Sequence, residues 1–131
     1  MPLTPYHFGP ALVVKSFFKE RFCLVSFAIS QVAVDIESLY FMLQQTWPIH
    51  RFFHTYMGST VPILLSIVLA KPILRILKLS SSWKAIIFGS VFGGLSQVFL
   101  DSIMHSDIRP FFPISELNPF LKILSTSQLY D

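Results

Sequence analysis

The sequence predicts an all-α fold, a polytopic membrane bundle of about three to four membrane helices in one domain over residues 1–131. Hydrophobic residues make up 53% of the chain and charged residues only 13%, whereas a soluble domain carries about a quarter charged residues. The apolar residues are also gathered into long segments. A soluble fold of this length could not bury so much apolar side chain, so much of it is expected to face lipid.

Two apolar segments lie in the N-terminal half. Residues 11–18 continue a helix that Pro10 can begin, but this run is short and contains Lys15, so it predicts either a short membrane helix or an interfacial one. Residues 22–43 are long enough to span a bilayer, because about 20 helical residues cover its hydrocarbon core. Residues 44–59 then form a polar and aromatic connection suited to the headgroup layer.

Two further apolar segments lie in the C-terminal half. Residues 61–77 contain Pro72, which predicts that the span ends or kinks there. Residues 83–104 carry a small-residue face that lets a neighbouring helix approach closely, formed by Gly89, Gly93 and Gly94. The tail, residues 110–131, is loosely amphipathic.

Basic residues predict how the helices are oriented. The two lysine-rich loops, one before the second segment and one between the third and fourth, are separated by two crossings and share a side, which the positive-inside rule makes cytoplasmic. His50, His54, Asp101 and His105 are then expected on the opposite side, together with His7 if the first helix crosses. The N-terminus lacks a positive n-region, so a cleaved signal peptide is not expected.

Asp35 lies within the second span. A carboxylate near the middle of a membrane helix costs about 2.5–3.5 kcal/mol, so it indicates a functional site. Gln31 and Ser38 lie about one turn away on either side and complete a polar stripe that should face the bundle interior. Glu37 lies roughly opposite Asp35 on a regular helix. Either the helix is distorted, or only one of the two carboxylates reaches the site, and Glu37 could instead reach the interface.

Two residue pairs have i, i+4 spacing. Asp101 and His105 would share one helix face, where they could bind a divalent metal or orient one another beside it. The alternative is a helix-end pair that contacts headgroups and water. His50 and His54 have a spacing that zinc sites use, although no Glu follows His50 as in zincins, and the alternative is an aromatic interfacial loop. His7 gains weight only as a partner of the others.

Other function classes lack their motifs. The sequence has no Gly-rich phosphate loop, no GxSxG elbow and no CxxC pair. The single cysteine, Cys23, excludes an intramolecular disulfide. The net charge is only +3 and no strong basic patch has interleaved aromatic residues, so nucleic acid is not an expected partner.

Four segments together resemble a family of small bacterial integral-membrane, metal-dependent hydrolases. These segments are residues 4–10, 31–37, 47–55 and 100–110, and their order and spacing are similar to those of the family. More distantly they resemble an inner-membrane hydrolase group thought to share a helical zinc-type site with zinc-dependent phospholipase C. The resemblance implies a location in the bacterial inner membrane, with the lipid bilayer as partner and a phosphoester or lipid-like substrate at the membrane face.

The resemblance also implies a site that holds a divalent metal, with zinc as the expected ion. Matching positions give the ligand set as His7, Asp35, His54 and Asp101, with His50 as a further ligand. Glu37 and His105 are the implied catalytic residues, or else ligands or partners that orient the ligands, and Glu37 is the free carboxylate that would act as general base.

Two departures from the family support an alternative. Gln97 stands where members carry a histidine one turn before Asp101, and a glutamine amide is a poor zinc ligand. The chain also stops at Asp131, where the family continues into a further apolar segment. The alternative is a catalytically degenerate or non-catalytic membrane protein with a structural polar or metal site. A transporter fragment with an ion site at Asp35 is a third reading, but no inverted repeat is present.

Overall fold

The computed structural model describes residues 5–121 and 123, and this part of the chain contains helices and no strand. The four α-helices are α1 (Gly9–Phe18), α2 (Leu24–Leu43), α3 (Thr60–Ile76) and α4 (Trp83–Met104). Three short 3-10 turns accompany them, at Pro5–Phe8, Lys19–Arg21 and Phe52–His54. The all-α prediction is confirmed. Residues 1–4, the end of the predicted tail and its position 122 lie outside the described residues.

Local sequence explains where α4 begins, and packing explains why α3 continues past Pro72. The Ser82 hydroxyl accepts a hydrogen bond from the Ala85 N–H and caps α4 at the predicted boundary. Helix α3 continues through Pro72 to Ile76 and does not end at the proline. Ala70 and Leu74, on either side of the proline, are packed in a core cluster between helices, so tertiary packing holds the last turn in place.

Helices α2, α3 and α4 form the bundle, with α2 packed against both of the others. Small residues on α4 permit the close approach that the sequence predicted. A Cβ at Gly93 would lie 2.8 Å from the Phe27 carbonyl oxygen, and one at Gly89 would clash with the Cys23 carbonyl. Polar side chains bond across this contact, since Ser26 Oγ donates to the Ile86 carbonyl at 2.9 Å. Residues of α2 and α4 are thereby held in a fixed register.

Many polar side chains are buried between the helices, beside apolar ones, and many large apolar side chains are exposed. Inside are Ser26, Ser30, Gln31, Asp35, Ser66, Ser90, Gln97 and Asp101, all buried. Exposed on the outer faces are Val32, Ile36 and Leu43 of α2, Leu64, Leu65 and Val68 of α3, and Val91 and Leu95 of α4. Bundles that sit in lipid use such interiors, because lipid replaces water as the solvent of the outer face.

Two helices, α2 and α4, are long and apolar enough to cross a membrane. The 10 residues of α1 would cover only about 15 Å, against a hydrocarbon core of roughly 30 Å. Helix α3, with 17 residues, is at the lower limit of a spanning length. The predicted total of three to four membrane helices therefore stays a prediction.

Candidate metal centre

All four histidines converge at one end of the bundle, around Asp101. The Nε2 atoms of His7 and His105 lie 3.2 and 4.0 Å from Asp101 Oδ1, and His54 Nε2 lies 3.3 Å from Asp101 Oδ2. The His50 ring contacts the rings of His54 and His105, with centroids 4.7 and 4.4 Å apart. Residues from the first turn, the α2–α3 loop and the end of α4 thus meet in one cluster.

Asp35 brings the second carboxylate to this cluster from α2. Its Oδ1 lies 3.5 Å from His54 Nε2, and the side chains of Asp35, His54 and Asp101 are all buried. One donor atom from each of these three residues lies within 4.8 Å of the other two. This buried His/Asp group could hold a metal ion.

Two imidazole nitrogens in the cluster are placed better for binding a metal than for hydrogen bonding. The Nε2 atoms of His7 and His54 are buried and make no hydrogen bond within the described residues, although each lies close to a carboxylate. Zinc ligands about 2.0–2.2 Å from the ion lie roughly 3.4 Å apart in a tetrahedron. The distances of 3.2, 3.3 and 3.5 Å between these nitrogens and the Asp101 and Asp35 oxygens match that separation. The described residues therefore fit a divalent metal.

The ring of His54 is held by α2 on its other side. Its Nδ1 faces Ser38 Oγ at 3.4 Å, so Nε2 is the atom left for the carboxylates. A partner on the second ring nitrogen is the usual way in which proteins orient a metal-binding imidazole.

Glu37 holds the loop that carries His54. Its two carboxylate oxygens accept hydrogen bonds from the backbone N–H groups of Phe52 and Phe53, at 3.2 and 2.7 Å. Those residues form the 3-10 turn that ends at His54. Of the two α2 carboxylates, only Asp35 therefore contacts the histidine cluster in the described residues. The general-base role predicted for Glu37 stays a prediction, and its observed contacts are those of a positioning residue.

Gln97 connects the two carboxylates of the cluster. Its Nε2 donates hydrogen bonds to Asp35 Oδ1 and to Asp101 Oδ2, both at 2.9 Å. Its Oε1 is buried and makes no hydrogen bond within the described part of the chain. Gln97 thus holds α2 and α4 together through their acidic side chains.

A second group lies on the outer side of the first. His50 Nδ1 lies 2.9 and 3.0 Å from the two carboxylate oxygens of Asp107, and Asp107 also accepts the backbone N–H of His50 at 3.1 Å. One donor atom each from His50, His105 and Asp107 lies within 4.8 Å of the others. Sequence reasoning missed Asp107, because it follows the end of α4 and shares no helical spacing with any histidine.

Burial and neighbouring charges shift the pKa values of His54, His50 and His105. Burial by itself lowers the pKa of His54, but its contacts with Asp101 and Asp35 outweigh this and raise the pKa to about 9. Burial and the neighbouring charge of His54 lower the pKa of His50, with Asp107 acting against them. Burial and the neighbouring His50 also lower the pKa of His105. The inner imidazole of His54 therefore binds a proton more tightly than a free histidine does, and the imidazoles of His50 and His105 bind one less tightly.

An open cavity of about 310 Å³ borders the second group. Its lining includes His50, Asp107, Arg51 and Arg109. The Arg51 guanidinium stacks on the ring of Phe41 at 3.7 Å, and its Nε donates to the Pro48 carbonyl at 3.0 Å. Two cationic side chains beside an imidazole and a carboxylate suit an anionic group.

The structure thus gathers six of the seven residues singled out in the sequence: His7, Asp35, His50, His54, Asp101 and His105. The metal and catalytic roles predicted for them stay predictions. No protein-family model, no curated protein and no solved structure matches this chain, so the hydrolase resemblance also stays a prediction.

Proposed function

We propose that this protein is a membrane-embedded hydrolase that uses a divalent metal, with zinc as the expected ion, to cleave a phosphoester or lipid-like substrate at the membrane face. The observation that carries the proposal is the pair of buried imidazole nitrogens, on His7 and His54, that face carboxylates without hydrogen bonds. A buried polar atom that makes no hydrogen bond is costly, so an ion between these nitrogens and the facing carboxylates would stabilise both.

The ion would be held by His7, Asp35, His54 and Asp101. When bound, it would supply a Lewis acid that polarises a phosphoryl oxygen and makes water a stronger nucleophile. Ser38 and Glu37 keep the ring and the loop of His54 in place. His105 lies at the more exposed edge of the cluster, 4.0 Å from Asp101, and is the proton acceptor in this scheme.

The cavity beside the cluster supports an anionic substrate. Arg51 is already fixed by its stacking on Phe41, so its guanidinium is available in one orientation. Arg109 bonds Glu116 at 3.2 Å in an exposed pair, and exposed pairs of this kind are weak enough to exchange for a substrate phosphate.

Membrane insertion is part of the proposal and rests on a separate observation. Large apolar side chains are exposed on the outer faces of α2, α3 and α4, and many polar side chains are buried between the helices. An apolar outer surface of this extent would associate or aggregate in water. The lipid bilayer is therefore the proposed surrounding, and a bacterial inner membrane is the location that the family resemblance implies.

A second candidate is a non-catalytic membrane protein with a structural polar site. The observation that favours it is Gln97, whose amide hydrogen-bonds both carboxylates and so holds the cluster together without an ion. The two candidates differ in what they require, because only the hydrolase needs bound metal.

Metal content of the detergent-purified protein tests the hydrolase. We expect at least one divalent ion per chain in the parent protein and its loss in Asp35→Asn and in His54→Ala. Ser66→Ala is the matched control, since this buried hydroxyl bonds only its own helix, at the Ile63 carbonyl. Hydrolysis of a chromogenic phosphodiester should follow metal content. A parent protein that binds no divalent metal would overturn the hydrolase and leave the structural site.

A further inference from the structure

We propose that the centre has a second divalent-metal position, held by His50, His105 and Asp107 on the cavity side of the first. This inference rests on the proposed function, because it extends the same centre from one ion to two. One donor atom from each of these residues lies within 4.8 Å of the others, so all three can reach a common point. Two imidazoles and a carboxylate form a donor set typical of zinc and similar ions.

The distances within this second group agree with shared coordination. His50 Nδ1 is 2.9 and 3.0 Å from the Asp107 oxygens. Two adjacent ligands, each about 2.1 Å from one ion, lie roughly 3.0–3.4 Å apart. The His50 and His105 rings are stacked, with centroids 4.4 Å apart and an interplanar angle of 28°, so the two imidazoles lie side by side.

Asp101 links the second group to the first. Its Oδ1 lies 4.0 Å from His105 Nε2, while its Oδ2 lies 3.3 Å from His54 Nε2. Oδ1 also lies 3.2 Å from His7 Nε2 of the first group, so the Asp101 carboxylate lies between the two groups and faces histidines of both. Hydrolytic centres with two metals hold their ions about 3.5–4 Å apart, and a shared carboxylate suits that separation.

The second metal position is the one that a substrate in the open cavity can reach. The side chains of Asp35, His54 and Asp101 are buried, and none of them lines the open cavity. His50 and Asp107 do line it, together with Arg51 and Arg109. An ion at the second position would lie between the inner group and the two arginines, where an anionic group can reach it. His105 then becomes a metal ligand in place of a proton acceptor.

The competing arrangement is a single-metal centre. There, Asp107 would simply hydrogen-bond His50 Nδ1 and orient its ring, as carboxylates commonly do for imidazoles beside a metal. The two arrangements predict different metal contents, because the competing one leaves only one ion in the parent protein.

Metal counting on the full-length protein in detergent separates them. After loading with excess zinc and removal of free ion, we expect two ions per chain in the parent protein and one in both Asp107→Asn and His105→Ala. Glu116→Gln is the control, since this exposed carboxylate contacts only Arg109 among the described residues. One ion in the parent protein, or two retained in both variants, would overturn the second position while leaving the proposed hydrolase intact. No ion in the parent protein would overturn both.

Cobalt substitution gives the same decision without relying on the variants. Titration of the metal-free parent protein with Co²⁺ should saturate at two equivalents. The second equivalent should weaken the electron paramagnetic resonance signal of the first, because adjacent ions couple magnetically. Saturation at one equivalent, or two equivalents with independent signals, would rule out a paired centre even if the variants fail to fold.

Discussion

Nε2 of His54 lies 3.3 Å from Oδ2 of Asp101 and makes no hydrogen bond within the described residues. The same nitrogen lies 3.5 Å from Asp35 Oδ1, so it faces two buried carboxylates at once. In the metal-free protein a proton on His54 offsets their charge, which is why the pKa of His54 is raised to about 9. A divalent ion in the same place must displace that proton.

Metal binding should therefore become stronger as the pH rises. His54 is protonated below a pKa of about 9, so each bound ion releases its proton, and affinity should rise about tenfold per pH unit up to that value and then level off. Isothermal titration with Zn²⁺ between pH 6 and 8, in buffers of different ionisation heat, measures both the affinity and the protons released. Affinity independent of pH would contradict His54 as a ligand.

The stability of the metal-free protein should change with pH in the opposite direction. Folding raises the pKa of His54 above its ordinary 6.5, so its ion pairs stabilise the fold fully below that pH and are lost as the pH rises through about 9. Thermal unfolding of the metal-free protein should show this decline, and it should be much smaller in His54→Ala. A variant with the same decline as the parent protein would assign the effect to another group.

Glu37→Gln separates a positioning role from a general-base role. The carboxylate accepts one hydrogen bond on each of its two oxygens, from the backbone N–H groups of Phe52 and Phe53. An amide has only one acceptor oxygen, so one of these bonds is lost and the loop that carries His54 should loosen. Metal affinity should fall by about 10- to 100-fold, as for other residues that orient ligands. Full metal affinity combined with lost hydrolysis would instead favour Glu37 as the general base. Glu20→Gln, in the separate turn before α2, is the control.

Gln97→Ala should destabilise the metal-free protein more than the metal-loaded one. The substitution removes the amide that both carboxylates share, and each buried acceptor left without a partner costs about 1–3 kcal/mol. A bound ion would neutralise Asp35 and Asp101 and reduce that loss. Gln31→Ala is the matched control, because Gln31 bonds the Gly93 carbonyl and should have the same effect with or without metal. Equal losses for Gln97→Ala in both states would contradict a metal between the carboxylates.

Gln97→His tests whether the centre is weakened relative to the family that it resembles. The imidazole would replace an amide that is a poor ligand with a good one, so metal affinity and phosphodiester hydrolysis should both rise. Hydrolysis that appears only in this variant would favour a degenerate enzyme. If neither property changes, position 97 lies outside the coordination sphere.

The outer face of α3 provides a test of membrane insertion. Val68 is 68% exposed and lies in the middle of this apolar face. An arginine at the centre of a span costs about 2.5–3.5 kcal/mol on insertion scales, so Val68→Arg should be extracted from membranes by alkaline carbonate more readily than the parent protein. Ser80→Arg, in the α3–α4 loop, is the control. Equal extraction of the two variants would contradict a lipid-facing position for Val68.

Long apolar segments allowed the sequence to predict the helices, and one-turn spacing predicted the inward faces of α2 and α4. The polar stripe of Gln31, Asp35 and Ser38 lies on the buried side of α2, as one-turn spacing requires. The apolar segment predicted for residues 83–104 matches α4, and the Ser82 cap shows that the start of this helix is set locally. The sequence left open whether α3 ends or kinks at Pro72, and the helix continues through the proline, where Ala70 and Leu74 on either side of it are packed in the core.

Residue chemistry and spacing by themselves determined that the histidines lie at the ends of apolar segments and that Asp35 lies on an inward face of one, because charges avoid lipid and helices repeat every 3.6 residues. Only the tertiary structure decided their partners. Glu37 bonds the loop instead of the cluster, Asp107 pairs with His50, and Gln97 joins the two carboxylates. These contacts join residues 15 to 62 positions apart in the sequence. The exception is the bond from Gln97 to Asp101, which lies within α4. Helical periodicity cannot specify such long-range and loop contacts, because they depend on how the helices pack and where the loops return.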